Sequence, residues 1–203
     1  MRAAFAAVLA VGTAALAQER PKPPEQVPTR YGVPYKAKAY PQATPKQALE
    51  SAVAAADKGE YDYLVAHLLD PAFVDGRVGD RARQFEPAVE AGLAKKRDAQ
   101  RRNPADVPAA DRLPDDPEKF RAKVADDARL AAYRQLVREV REKLADDPEV
   151  LKDLRRFYRQ GSFPDAPGEA AKVGLPDIRD RAVYLKKLGD RWYVENRQTE
   201  EKK

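Results

Sequence analysis

The chain has 203 residues, 38 basic and 33 acidic, for a formal charge of +5, with one His and no Cys. So small an excess of charge makes no case for a polyanion partner. The lack of Cys excludes disulfides, thiol nucleophiles, Cys-ligated zinc and iron–sulfur clusters, and a single His excludes multi-His metal centres.

Residues 1–17 open with one cation, Arg2, and continue as an apolar run that ends in Ala15-Leu16-Ala17. That order predicts a signal peptide cleaved after Ala17, and hence a secreted or periplasmic protein. The run is shorter than the about 20 apolar residues that a spanning helix needs. No later stretch comes close, so no transmembrane segment is expected after signal removal. No Cys follows the cleavage site, which argues against a lipid anchor. Residues 18–43 hold six prolines and show neither a helical nor a strand period. Proline fixes φ and donates no hydrogen bond, so this stretch reads as a disordered, extended linker. The folded domain is expected over 44–198, with a disordered tail at 199–203.

"TPKQALESAVAAADKG" opens that domain as a helix. Thr44 is the N-cap, Pro45 the first helical residue and Gly59 the stop. A short helix is expected in "EYDYLVAHLLDP", with Tyr61, Leu64, Val65 and Leu68 inward and Pro71 ending it. "AFVDGRVGD" reads as irregular. A further helix follows over about 79–101, carrying Phe85, Val89 and Leu93, with a kink expected at Pro87. After a proline-marked loop, the most strongly patterned helix is predicted over about 116–146. Leu130, Tyr133, Val137, Val140 and Leu144 form its buried stripe. Another helix, "PEVLKDLRRFYRQ", is stopped by Gly161, and a loop is expected over 162–180, with room for one short strand in "EAAKVGL".

The chain closes with "AVYLKKLGDRWYVENRQ". Gly189-Asp190 fits a two-residue hairpin turn, which pairs Leu185 with Val194 and Lys187 with Trp192. Val183, Leu185, Trp192 and Val194 then share one apolar face, and Tyr184, Lys186, Tyr193 and Glu195 the other. A hairpin is marginal alone. Burying a Trp removes about 150–250 Å² from water, worth roughly 4–6 kcal/mol as an upper bound. The first helices are the nearest surface able to receive it. The expected fold class is therefore α+β and predominantly helical, with about five helices and a C-terminal antiparallel hairpin packed on the first of them.

"TPKQALESAVAAADKGEYDYLVAHL" resembles the start of a nuclear transport factor two-like domain, and "RAVYLKKLGDRWYVENR" resembles that fold's final hairpin. The pattern recurs in exported bacterial proteins. The resemblance implies a cone-shaped α+β fold; it carries no catalytic residue with it, because no acid or base motif is matched. Between the two ends this chain is mostly helical where the family has strands.

The motifs of nucleophile elbows, phosphate loops and dinucleotide-binding turns are missing. His67 is the one imidazole, and Tyr63 and Asp70 stand near it at helical spacing. Such a trio can move protons. The preferred reading is a hydrogen-bonded, partly buried His beside a helix-terminal Asp. Of the acidic pairs 115–116, 126–127 and 146–147, the first suits a helix start and the last a cap, and none has the spacing of a calcium loop. The basic runs 94–102 and 152–159 read as solvated helix faces.

The expectation is thus a non-catalytic binding or accessory protein of the cell envelope, without metal or cofactor. Its partner would be an envelope protein or an acidic polymer rather than nucleic acid. One alternative is a small-ligand-binding or enzymatic domain with a pocket lined by Tyr63, His67, Asp70, Tyr184 and Trp192. Another is a helical structural adaptor that uses the 116–146 stripe.

Overall fold

A computed structural model describes residues 28–164 and 168–197. The expected signal peptide (1–17), residues 18–27 of the expected linker and the tail expected at 199–203 lie outside the described residues. Among those described, five α-helices and a C-terminal three-stranded antiparallel sheet make a predominantly helical α+β fold.

The first departure from expectation comes at residues 28–43, read above as linker. Strands β1 (Thr29–Arg30) and β2 (Val33–Pro34) form a small antiparallel ribbon. Its turn has positive φ at both Tyr31 (54°) and Gly32 (79°), the backbone that matches the twist of a tight hairpin. Arg30 donates to the carbonyls of Ala66 (2.7 Å) and Pro71 (3.0 Å). Tyr31 stacks on Tyr133 with centroids 4.5 Å apart. Tyr40 is 1% exposed and Gln42 3%. Proline content reports backbone preference only; the anchoring side chains between the prolines fasten this arm to the core.

Helix α1 (Pro45–Asp57) starts as read. The Thr44 hydroxyl accepts from the Gln47 N–H at 3.2 Å, and Pro45 takes the first turn. It ends in a left-handed Gly59 (φ 72°), with Glu60 N–H bonded to Ala55 and Gly59 N–H to Ala56. That is the paired closure typical of a glycine C-terminus. The expected second helix is a short α2 (Tyr61–Tyr63) continued by a π-helical turn, Leu64–Leu68, all of it buried.

Pro71 begins a helix rather than ending one. Asp70 caps α3 (Pro71–Arg102), accepting from the Ala72 N–H at 3.1 Å. The stretch read as irregular is its first turns. Gly76 and Gly79 weaken a helix by about 1 kcal/mol each, but Val74, Val78 and Ala82 recur every four residues and are buried against the next helix. Packing outweighs the local penalty.

Helix α4 (Pro117–Asp146) runs antiparallel to α3, with Asp116 capping the N–H groups of Glu118 and Lys119. Its deepest face is Phe120, Val124, Ala128, Ala132 and Leu136 with Tyr133. The expected stripe is otherwise half-buried at its flank: Leu130, Val137, Val140 and Leu144 pack against the core without entering it. Ala128 and Ala132, both fully buried, stand at the centre of this face against Val74, Val78 and Ala82 of α3.

Helix α5 (Pro148–Gln160) ends at Gly161. A Cβ at Gly161 would run into the Phe157 carbonyl and the Val173 side chain. The loop expected at 162–180 is shorter, since β3 (Ala170–Leu175) and the start of the long β4 (Ile178–Leu188) occupy nearly half of it. With β5 (Arg191–Val194) they form a sheet in the order β3-β4-β5.

The hairpin register is as read: Leu185 faces Val194 and Lys187 faces Trp192. Trp192 is 2% exposed and packs with Leu49 and Val53 of α1, Phe157 of α5, and Val173, Val183 and Leu185 of the sheet. The opposite face is not open to solvent either. Tyr184 and Tyr193 are buried there, under the guanidinium groups of Arg197 (4.3 Å) and Arg191 (5.5 Å). The outer edge of β5 is covered by Trp192 N–H bonded to Gln42 (2.9 Å) and Asp70 N–H bonded to Val194 (2.9 Å).

Candidate functional site

The structure brings Tyr63 and His67 together and disperses the other three candidates. His67, 5% exposed, stands on the π-helical turn with Nε2 2.8 Å from the Val33 carbonyl. With a carbonyl as partner, Nε2 carries the proton and donates it. Burial pushes the imidazole pKa below its ordinary value. Tyr63 lies 4.9 Å from the imidazole and Tyr35 5.5 Å, both tilted, and Tyr40 lies 4.6 Å from Tyr63. The Tyr63 hydroxyl accepts from the Lys36 N–H (3.1 Å), and burial pushes its pKa up to about 12. The N-terminal arm therefore roofs an aromatic cluster in which His67 and Tyr63 both bond to backbone.

Asp70 caps α3. Trp192 lies in the core beneath α1, and Tyr184 on the far side of the sheet under Arg197. One buried side chain links two of these places. The Gln42 amide donates to the carbonyls of His67 (2.9 Å) and Trp192 (2.8 Å).

A cleft of about 210 Å³ opens elsewhere, between α1, the π-helical turn, the C-terminal turns of α4, α5 and the ends of β4 and β5. None of Tyr63, His67, Asp70, Tyr184 or Trp192 lines it. Its floor is apolar, built from Leu49, Leu64, Val140, Leu144, Leu154 and Phe157, with room left by Ala52, Ala56 and Ala182. Its mouth carries Lys143, Asp153, Arg181, Glu195, Asn196 and Arg197. Two ion pairs occupy most of that charge. The Asp153 carboxylate, 13% exposed, meets Arg181 Nη1 at 2.9 Å. Glu195 meets Arg197 Nε at 2.6 Å, close enough for an ionic contact although not aligned as a hydrogen bond. Lys143, in the last turn of α4, is exposed and has no acidic partner among the described residues.

A larger and more polar hollow, of about 740 Å³, lies beneath residues 103–116 at the far end of the α3–α4 hairpin. There Gln100 bonds both backbone groups of Leu113 (2.8 and 3.1 Å). Its lining mixes Leu93, Val107 and Leu113 with Lys96, Asp106, Asp111, Arg112, Lys123 and Asp127. The basic runs behave as ordinary helix faces: Arg155 pairs with Asp57 (2.6 Å), Lys152 with Glu149 (3.1 Å), Arg156 with Asp177, and Arg101 with Asp115 (3.2 Å). Among the described residues no three His, Asp or Glu side chains gather as a metal site, and no helix is long and apolar enough to cross a membrane.

The cleft residues carried no motif. The one sequence signal was the alanine-rich inner face of α1, where small side chains leave space. Compared with family models, with curated proteins and with solved structures, the chain matches none.

Proposed function

We propose that the chain is exported and acts as a non-catalytic binding protein of the cell envelope, taking an apolar group of its ligand into the cleft. One observation carries this reading: an apolar floor enclosed by three helices and the sheet, with a charged mouth in which each carboxylate is already held by a guanidinium. Sites that bind small molecules have this character, mostly apolar with a few polar groups fixing orientation. The signal-like order of residues 1–17 supports the location. Membership of the nuclear transport factor two-like superfamily is part of the proposal. It is supported by the packing of α1 against the closing hairpin, the two segments that carry the resemblance.

A small-ligand reading of the fold is favoured over a helical adaptor, because Val137, Val140 and Leu144 are half-buried against the core, the last two in the cleft floor, instead of forming a free stripe. The ligand position expected near His67 and Trp192 moves to the cleft. Thermal-shift screening of the purified protein against envelope lipids, glycans and extracted proteins tests the proposal. It predicts that at least one apolar-bearing class raises Tm. Turnover of a small molecule, with no class raising Tm, would reject it.

A further inference from the structure

We infer that the cleft takes a single-chain amphiphile with one negative head group, a medium-chain carboxylate. This rests on the reading of the cleft as the binding site and adds the class of its ligand. Three observations carry it. The floor residues, among them Leu64, Leu144, Leu154 and Phe157, present no polar side-chain atom. A polar ligand would lose its hydration there without replacement. The volume, about 210 Å³, is below the roughly 300–1,000 Å³ of sites that enclose drug-sized molecules. It suits one narrow chain and is short of room for two acyl chains or a fused ring system.

The mouth supplies the third. Arg181 and Arg197 are each matched by a carboxylate, Asp153 and Glu195. Among the described residues of the mouth Lys143 is the cation left over, a compact point charge on a long stem at the edge of the apolar floor. A chain lying on the floor with its end at the mouth brings a carboxylate to that ammonium. A cationic head would meet repulsion, and a neutral one would gain nothing from it.

Calorimetric titration of the full protein with decanoate, decanol and decyltrimethylammonium, each below micelle-forming concentration, tests this. Decanoate is expected to bind most tightly, with a preference over decanol that shrinks as salt is raised. Lys143→Gln, a change at an exposed position, is expected to weaken decanoate about fivefold and leave decanol unchanged. Ala52→Phe, which fills the floor, is expected to abolish both. Should that variant fail to fold, the Lys143 comparison still decides. Equal affinity for decanoate and decanol, with no effect of Lys143→Gln, would overturn the head-group assignment and leave the cleft as a binding site. Tightest binding by the trimethylammonium compound would do the same. No binding by any of the three would overturn both this inference and the binding reading on which it rests.

Discussion

The side-chain amide of Gln42 joins three segments that are far apart in the chain: the N-terminal arm, the π-helical turn at His67 and strand β5 at Trp192. Removing it leaves two carbonyls without that donor in a buried place, and such losses cost about 1–3 kcal/mol. Gln42→Ala is expected to lower stability by about 2–3 kcal/mol in urea unfolding; a loss under about 0.5 kcal/mol would contradict the role given to it. His67 makes a different demand. Its folded pKa is depressed by burial, whereas the unfolded value is about 6.5. Below about pH 6.5 the unfolded chain takes up a proton that the folded chain resists, so the contribution is complete above that pH. It is lost as pH falls toward the lowered folded value, with a slope of at most about 1.4 kcal/mol per pH unit. Denaturation curves collected between pH 7.5 and 5 should show this loss, and His67→Gln should flatten it. That Tyr63 and His67 share a face was legible from their spacing of four. That Val33 would accept from the imidazole was not, because no local pattern reports a contact made by a distant, proline-marked arm.

At the scale of elements, the ends of helices were read best where a cap carries a side-chain bond. Thr44 and Gly59 bound α1 as their chemistry dictates. Asp70-Pro71 was read in the wrong direction: proline stops the helix before it and starts the one after it equally well, and only Asp70 accepting from Ala72 decides. The first turns of α3 can be tested directly. Gly76 and Gly79 are exposed, and a Cβ on either meets nothing within 4 Å. Gly76→Ala and Gly79→Ala should each therefore raise stability by roughly 0.5–1 kcal/mol. No gain at either would return this stretch to the irregular reading. Gly161 behaves oppositely. Gly161→Ala is expected to lower Tm by several degrees, because the Phe157 carbonyl and Val173 occupy the space a Cβ needs. The hairpin was legible to the residue, since alternation with period two and a Gly-Asp turn fix register together. The length of β4 was not: its first residues include charged side chains and follow Pro176-Asp177, which locally reads as loop.

For the whole molecule, the arrangement turns on one joint. Helices α1 and α5 and the three-stranded sheet close over a single indole, the arm bonds the Trp192 backbone through Gln42, and the cleft opens beside that joint between α1, α4, α5 and the sheet. The sequence announced the joint, because a two-stranded unit bearing a Trp has to find an apolar partner and α1 presents one. It did not announce the cleft. A cleft is space left by Ala52, Ala56 and Ala182 and framed by ion pairs such as Asp153–Arg181, which exist only after α5 and β4 have come together. Trp192 is the only tryptophan in the chain, so its fluorescence reports on the joint without labelling. The native protein should emit at the short-wavelength end of the tryptophan range, resist quenching by iodide, and shift to long wavelength in one step with loss of helix in urea. Long-wavelength emission that iodide quenches freely in the native state would contradict the account, and the cleft beside that joint would lose the wall that shapes it.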